Sequence, residues 1–381
     1  MTQKSWRKKL NHRIGERIFL DAHKDYLRGE VNRRPLTLYL ANGIAGFVLI
    51  TPFLLIAAGV WVFMLDFPNI LFIILGVVVC MVGWTLVPRR MQNHERTYRR
   101  DELAALFRFF DSISDALGAA RVDGIHITDD LNGYLWESGL GHKRERIIGI
   151  GMLLWDSTTP DQRIAFAAHE IAHQVNNDPA RGRLVSMALY TLEQWDLLLS
   201  PSRYLDFEDD IAVGETLSEM MLVVPRFGVE LIWVAMERLG FVEQQRAEYL
   251  ADACAAGVSG VKPAIGLLEK LSLNTMLDKE MAGLHPSGMQ SGSEVMMQLA
   301  RVISHASEEE RDRVLEEMRQ EESAVDSTHP PTAFRIAFLS LLGVGTATVT
   351  PDQVDFDGIE AEIAPLREAM GDALLKGMQV Q

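Results

Sequence analysis

The chain has 381 residues, 48% of them hydrophobic, with 29 Gly and 14 Pro, the make-up of an ordered protein of one or two domains with a sizeable core. Its net charge of −15 is uneven. Residues 1–100 carry 15 Lys/Arg against 6 Asp/Glu and the rest 22 against 46, so the bulk of the chain lacks the clustered cations that nucleic-acid binding needs. Only two cysteines are present, Cys80 in an apolar run and Cys254 in an alanine-rich one, which excludes a disulfide framework or a cysteine-ligated metal and leaves both as small hydrophobes.

Residues 1–35 form a basic segment ahead of two charge-free stretches, about 36–65 and 70–87, separated by Asp66, Pro68 and Asn69. As helices these stretches are long enough for a two-span transmembrane hairpin over residues 36–88; the second covers about 27 Å against roughly 30 Å of hydrocarbon. Tyr39 and Trp84 fall near one interface and Trp61 near the other, as in aromatic belts. A signal peptide and a pair of buried core helices are the alternatives. The first fits poorly because the apolar run starts 35 residues in and is followed at once by a second. Lys/Arg clusters on both flanks, among them Arg33, Arg34, Arg89 and Arg90, place both ends in the cytoplasm by the positive-inside rule. They also favour anionic lipid headgroups. The expected location is therefore the inner or plasma membrane, multi-pass, with the remaining chain cytoplasmic.

Residues 89–119 read as a connecting segment with an amphipathic helix over 101–117, its apolar positions Leu103, Leu106, Phe107, Phe110, Ile113 and Leu117 at helical spacing. Residues 124–136 and 146–155 read as two strands joined by a turn around Gly139 and Gly141. Thr159-Pro160-Asp161-Gln162 signals a helix start, with Thr as N-cap, Pro at the first helical position and Gln closing a capping box. Residues 184–199 and 220–239 are apolar but contain Glu193, Asp196, Arg226, Glu230 and Glu237. Charges at mid-span are costly, which favours core or membrane-surface helices over further spans. Residues 242–256 form a helix stopped by Gly257, and 307–322 a solvated charged helix. Residues 346–381 read as an acidic helical tail.

The helix opened by Thr159 carries His169-Glu170-Ile171-Ala172-His173. Residues i and i+4 share a helical face, so both imidazoles can meet one metal ion while Glu170 reaches its water. Zinc suits that geometry, one ion per chain. Two histidines and a glutamate in a helix as apolar as Ile164-Ala165-Phe166-Ala167-Ala168 need partners. A hydrolytic site also needs a third ligand, and Glu248 is the candidate; Asp252, again i+4, can hold a ligand histidine by its other ring nitrogen. His285, in a Gly/Ser-rich loop, reads as a loop residue, with gating of the metal as its alternative.

Three segments in order, His169 to Asp178, Glu248-Tyr249-Leu250-Ala251-Asp252 and His329-Pro330-Pro331-Thr332-Ala333-Phe334-Arg335, resemble the signatures of the HtpX-like membrane zinc metallopeptidases of the Peptidase_M48 group. These are gluzincins, distantly related to the CAAX prenyl endopeptidases. The resemblance covers residues 120–345 and the preceding hairpin. It implies an α+β, mainly α gluzincin domain with a small mixed sheet behind the hairpin, with zinc on His169, His173 and Glu248 and Glu170 as general base. Asp252 and Asn176 would support the ligands. His329 and Arg335 would contact substrate or stabilise the tetrahedral intermediate, and Gly151-Met152-Leu153 would end an edge strand for the substrate. The implied activity is endopeptidase cleavage of membrane-associated or misfolded polypeptides; a prenyl-protein processing protease and an inactive zinc-binding scaffold are the alternatives. The chain departs from this family in its charged residues after the second ligand, its longer N-terminal segment and the expanded interval from Asp252 to His329. The oligomeric state is left open.

Overall fold

The computed structural model describes residues 3–29, 36–88, 96–138, 145–175, 183–199, 213–274, 276–277, 291–320, 329–343 and 345–379. The fold is mainly helical with one small mixed sheet, and the chain divides into two units: residues 1–33, 94–178 and 244–381 form one, and 34–93 with 179–243 the other.

In the first unit, strands β1 (Thr97–Tyr98), β2 (Gly124–Thr128), β3 (Gly133–Ser138) and β4 (Glu145–Gly151) form a sheet of order β1-β2-β4-β3. Strand β4 runs parallel to β2 and antiparallel to β3, with Ile148 opposite both Ile125 and Leu135. Two expected strands are thus three. Asp129 to Asn132, rich in turn formers, break the first run, and the second ends where α5 (Met152–Ser157) begins.

Helices α4 (Ala104–Leu117) and α6 (Pro160–Val175) pack on each other, and α9 (Val261–Leu271) packs on α6. Rather than connecting two parts, α4 lies in the core, with Leu106, Phe107, Phe110 and Ile113 fully buried. The start of α6 follows the expected box: Thr159 Oγ1 accepts from the Gln162 amide at 3.4 Å and Gln162 Oε1 from the Thr159 amide at 3.0 Å. Further on come α10 (Gly292–Ser304), α11 (Glu308–Gln320), α12 (Thr332–Leu341) and α13 (Phe356–Gln379). The last of these packs on α10 and α4 and buries Ile359 and Ile363, so the C-terminal residues belong to the core and not to a tail. Arg367 closes it with a bidentate pair to Asp156, both hydrogen bonds 2.7 Å. The basic N-terminal residues form α1 (Gln3–Arg28), which packs on α12.

The second unit contains α2 (Leu36–Leu65), α3 (Ile70–Thr85), α7 (Arg183–Leu199) and residues 213–243 of α8 (Val213–Ser259). Only α2, among the described helices, is long and apolar enough to cross a membrane; α3 is apolar but has 16 residues. Asn69 caps α3 by accepting from the Leu71 amide and also donates to Asp66, which fixes the turn. The two helices meet at glycines: a Cβ on Gly59 would lie 2.7 Å from the Gly76 carbonyl, and one on Gly76 the same distance from the Gly59 carbonyl. Such small-residue contacts let apolar helices approach closely. On another face of α2, Ala41, Ala45 and Val48 form a buried cluster with Val185, Ala188, Leu192 and Trp195 of α7 and Val229 and Met236 of α8. The two helices expected over 220–239 and 242–256 are one. It passes through Gly257 and stops before Gly260, whose φ of +94° a side chain would resist.

Candidate metal centre

Three elements of the first unit supply the site: α6 gives His169, Glu170 and His173, the C-terminal part of α8 gives Glu248 and Asp252, and α12 with the residues before it gives Arg335 and His329. His169, Glu170, His173, Glu248, Asp252 and Arg335 are all buried.

The donor atoms converge. His169 Nε2 and His173 Nε2 are 3.3 Å apart, and Glu248 places Oε2 3.5 Å from the first and Oε1 3.6 Å from the second. Tetrahedral ligands at about 2.0–2.1 Å from a zinc ion stand roughly 3.3 Å from one another, so the spacing fits one cation held by His169, His173 and Glu248. A second observation agrees. Glu248 Oε2 is buried without a well-aligned hydrogen bond, although His329 Nδ1 lies 3.1 Å away and Arg335 Nη1 3.3 Å away. Its lone pairs are therefore open to a further cation beside the Arg335 guanidinium.

The supporting contacts set the tautomer. Asp252 Oδ1 is 3.1 Å from His169 Nδ1, so that nitrogen carries the proton and Nε2 offers its lone pair to the metal side. Asp252 is in turn gripped by the Arg335 guanidinium, Nε donating at 2.8 Å and Nη2 at 2.7 Å. Burial pushes the Asp252 and Glu248 carboxyls up, yet Arg335 and the neighbouring imidazoles outweigh it and hold both below the usual carboxylate range. For His169 burial opposes the charge, while Asp252 and Glu248 together raise its pKa to about 9. The metal-free pocket therefore already favours positive charge between its two carboxylates.

Where the structure places the remaining expected residues differs in informative ways. Arg335, expected to meet substrate, is buried with its guanidinium occupied by Asp252 and Glu248. His329 keeps half its side chain exposed and turns Nδ1 to Glu248. Asn176 and His285 lie outside the described residues. The expected edge strand at Gly151-Met152-Leu153 is corrected. Strand β4 is interior, with Gly151 paired to Thr128 on one side and donating to the Asn132 carbonyl on the other, while Met152 and Leu153 form the first buried turn of α5. The near-continuous apolar run Ile147-Ile148-Gly149-Ile150 is what an interior strand requires. The sheet's edges are β1 and β3, and β3 pairs only with β4 among the described residues.

Sequence reasoning passed over Gln245. Its side chain is buried and its Nε2 donates to the His329 carbonyl at 3.5 Å, tying the third-ligand helix to the His329 segment. Its position three residues before Glu248, on the same helical face, was the available signal.

No curated protein and no solved structure matches the chain. A family profile described as Peptidase family M48 matches residues 113–342, a span that holds every residue of the centre just described. Together with the buried His169, His173 and Glu248 group that could hold a metal ion, this match shows that the chain is a metallopeptidase belonging to peptidase family M48.

Proposed function

We propose that the protein is a zinc-dependent endopeptidase, anchored in a membrane by the α2–α3 hairpin, that cleaves cytoplasmic segments of membrane-associated or misfolded proteins. One observation carries the reading: three buried side chains, His169, His173 and Glu248, bring donor atoms within 3.3–3.6 Å of one another, with Glu170 beside His169 on the same helix. His169, His173 and Glu248 would hold the zinc, which would supply Lewis acidity and lower the pKa of a water toward neutral. Glu170 then accepts the water's proton and returns it to the leaving amine. Asp252 holds His169 in the ligating tautomer, and Arg335 keeps Asp252 and Glu248 ionised and in place. An extended substrate adds to β3 by strand pairing. Gly133, at the start of β3, lies against the ring of Phe166, one turn before His169 on α6, which brings that edge toward the centre.

Support for the anchor comes from α2, apolar and largely unburied, from the glycine contacts with α3 and from the Lys/Arg on both flanks. The apolar residues Val223, Val224, Phe227 and Leu231 of α8 are also exposed, consistent with contact of that segment with lipid.

Detergent-solubilised wild type and Glu170→Gln, compared on an unfolded model substrate with zinc measured in both, test the reading. The variant is expected to keep about one zinc per chain and to lose cleavage by a factor on the order of 10³ or more. Wild-type turnover by Glu170→Gln would exclude the assigned base.

A further inference from the structure

We propose that α1 is a positioning element for the metal centre, with Phe19 and Asp25 holding together the α8 and α12 segments that carry Glu248 and Arg335. The inference rests on the zinc-peptidase reading above and extends it to a helix that lies wholly before the matched residues 113–342.

The inner face of α1 is built for close packing. Gly15, Ile18, Ala22 and Asp25 recur at three- to four-residue spacing and are buried, while Glu16, Arg17, Asp21, Lys24 and Arg28 are exposed. Between the buried positions Phe19 meets Tyr249 edge-on at 5.8 Å between ring centres, and it meets Phe334 and Phe338 at 6.4 and 6.0 Å. Tyr249 directly follows Glu248; Phe334 directly precedes Arg335. Tyr249 and Phe338 also touch each other at 5.1 Å. One ring of α1 therefore closes an aromatic cluster whose other members flank a ligand on α8 and its arginine on α12.

The second tie is ionic. Asp25 Oδ2 accepts from Nε of Arg246 at 2.8 Å and stands 2.8 Å from its Nη2, with the two side chains 9% and 12% exposed. Arg246 stands two residues before Glu248. A buried ion pair is a poor source of stability compared with apolar residues of the same volume, and its best-attested use is to fix one register. Here the register fixed is that of the third-ligand helix. Donor atoms that must stand about 3.3 Å apart tolerate little sliding of α8 against α6, and supporting shells that drift by about 1 Å are costly in such sites.

The full-length protein in detergent serves for the test, with Phe19→Ala, Asp25→Asn, Phe19→Tyr and His169→Ala compared at a temperature where circular dichroism matches the wild type. The rate of zinc loss to excess chelator is read beside kcat and KM on a model peptide. Phe19→Ala and Asp25→Asn are expected to release zinc about 10- to 100-fold faster, the range for groups that support metal ligands, and to lose kcat with KM within about two-fold. Phe19→Tyr, which keeps the ring, should stay near wild type. Asp25→Asn preserves the shape of the side chain and carries the test should Phe19→Ala not fold. Zinc release and kcat unchanged in the Phe19 and Asp25 variants, with zinc lost from His169→Ala, would overturn the role of α1 and leave the metal centre standing. Stoichiometric zinc in His169→Ala would instead overturn the metal centre itself.

Discussion

Arg335 offers the sharpest energetic test of the site. Its guanidinium makes two hydrogen bonds to Asp252 and a 3.3 Å contact to Glu248, with only 9% of its side chain exposed. Arg335→Met keeps most of the stem and deletes the cation, leaving two buried carboxylates beside each other. Removing one partner of a buried pair costs about 3–5 kcal/mol, most of it the penalty on the charge left behind. At about 2–4 °C per kcal/mol for a unit of this size, the melting midpoint of the metal-free protein should fall by roughly 6–20 °C. Zinc neutralises part of the same charge, so the loss should be smaller in the loaded protein, and the difference between the two midpoints should widen relative to wild type. Arg335→Lys keeps the charge without the planar fork and should fall between. The assay is thermal melting by circular dichroism with chelator and with zinc. A metal-free Arg335→Met protein melting within about 2 °C of wild type would refute the reasoning.

The strand–helix junction and the C-terminal helix supply two more tests. A Cβ at Gly151 would lie 2.1 Å from the Asp130 carbonyl and 2.5 Å from that of Asn132. Because both obstacles are backbone, Gly151→Ala should destabilise by at least about 1–3 kcal/mol, read as a lower urea midpoint; an unchanged midpoint would contradict the β4–α5 geometry. The Arg367 hydrogen bond holds the Glu360 carboxyl below its ordinary value. A depressed carboxylate contributes stability above its unfolded pKa near ~4.3 and loses it as pH falls through the folded value. Glu360→Gln should therefore flatten the decline in stability below about pH 5 in urea titrations, and a decline as steep as wild type would show that the pair contributes nothing.

How much was legible beforehand divides by range. The α6 start could be read because Thr159 and Gln162 cap it through contacts three residues apart, and the ligand face because His169 and His173 lie four apart. Glu248 stands 75 residues after His173 and was reachable through Asp252 four residues on, which puts both carboxylates on one helical face. The edge strand was misplaced because it was carried over with the resemblance, and no local pattern in 146–155 says which neighbour pairs on each side. That is decided by β4 inserting between β2 and β3, parallel to the first and antiparallel to the second. For Arg335 the resemblance implied only a place near the site, contacting substrate or stabilising the intermediate, whereas its clamp on Asp252, 83 residues earlier, is visible in the fold alone.

By itself the sequence determined the apolar hairpin segments, the histidine helix and the carboxylate pair at Glu248 and Asp252. Each is a matter of residue types at spacings below five, or of unbroken length, which the backbone geometry of a helix converts directly into a face or a span. Only the tertiary structure decided what those faces meet. The clamp of Arg335 on Asp252, the open edge on β3, the C-terminal helix in the core and the N-terminal helix behind Glu248 all depend on burial between segments far apart in the chain. Such contacts are chosen by shape and charge complementarity in the folded unit, and no local pattern records them.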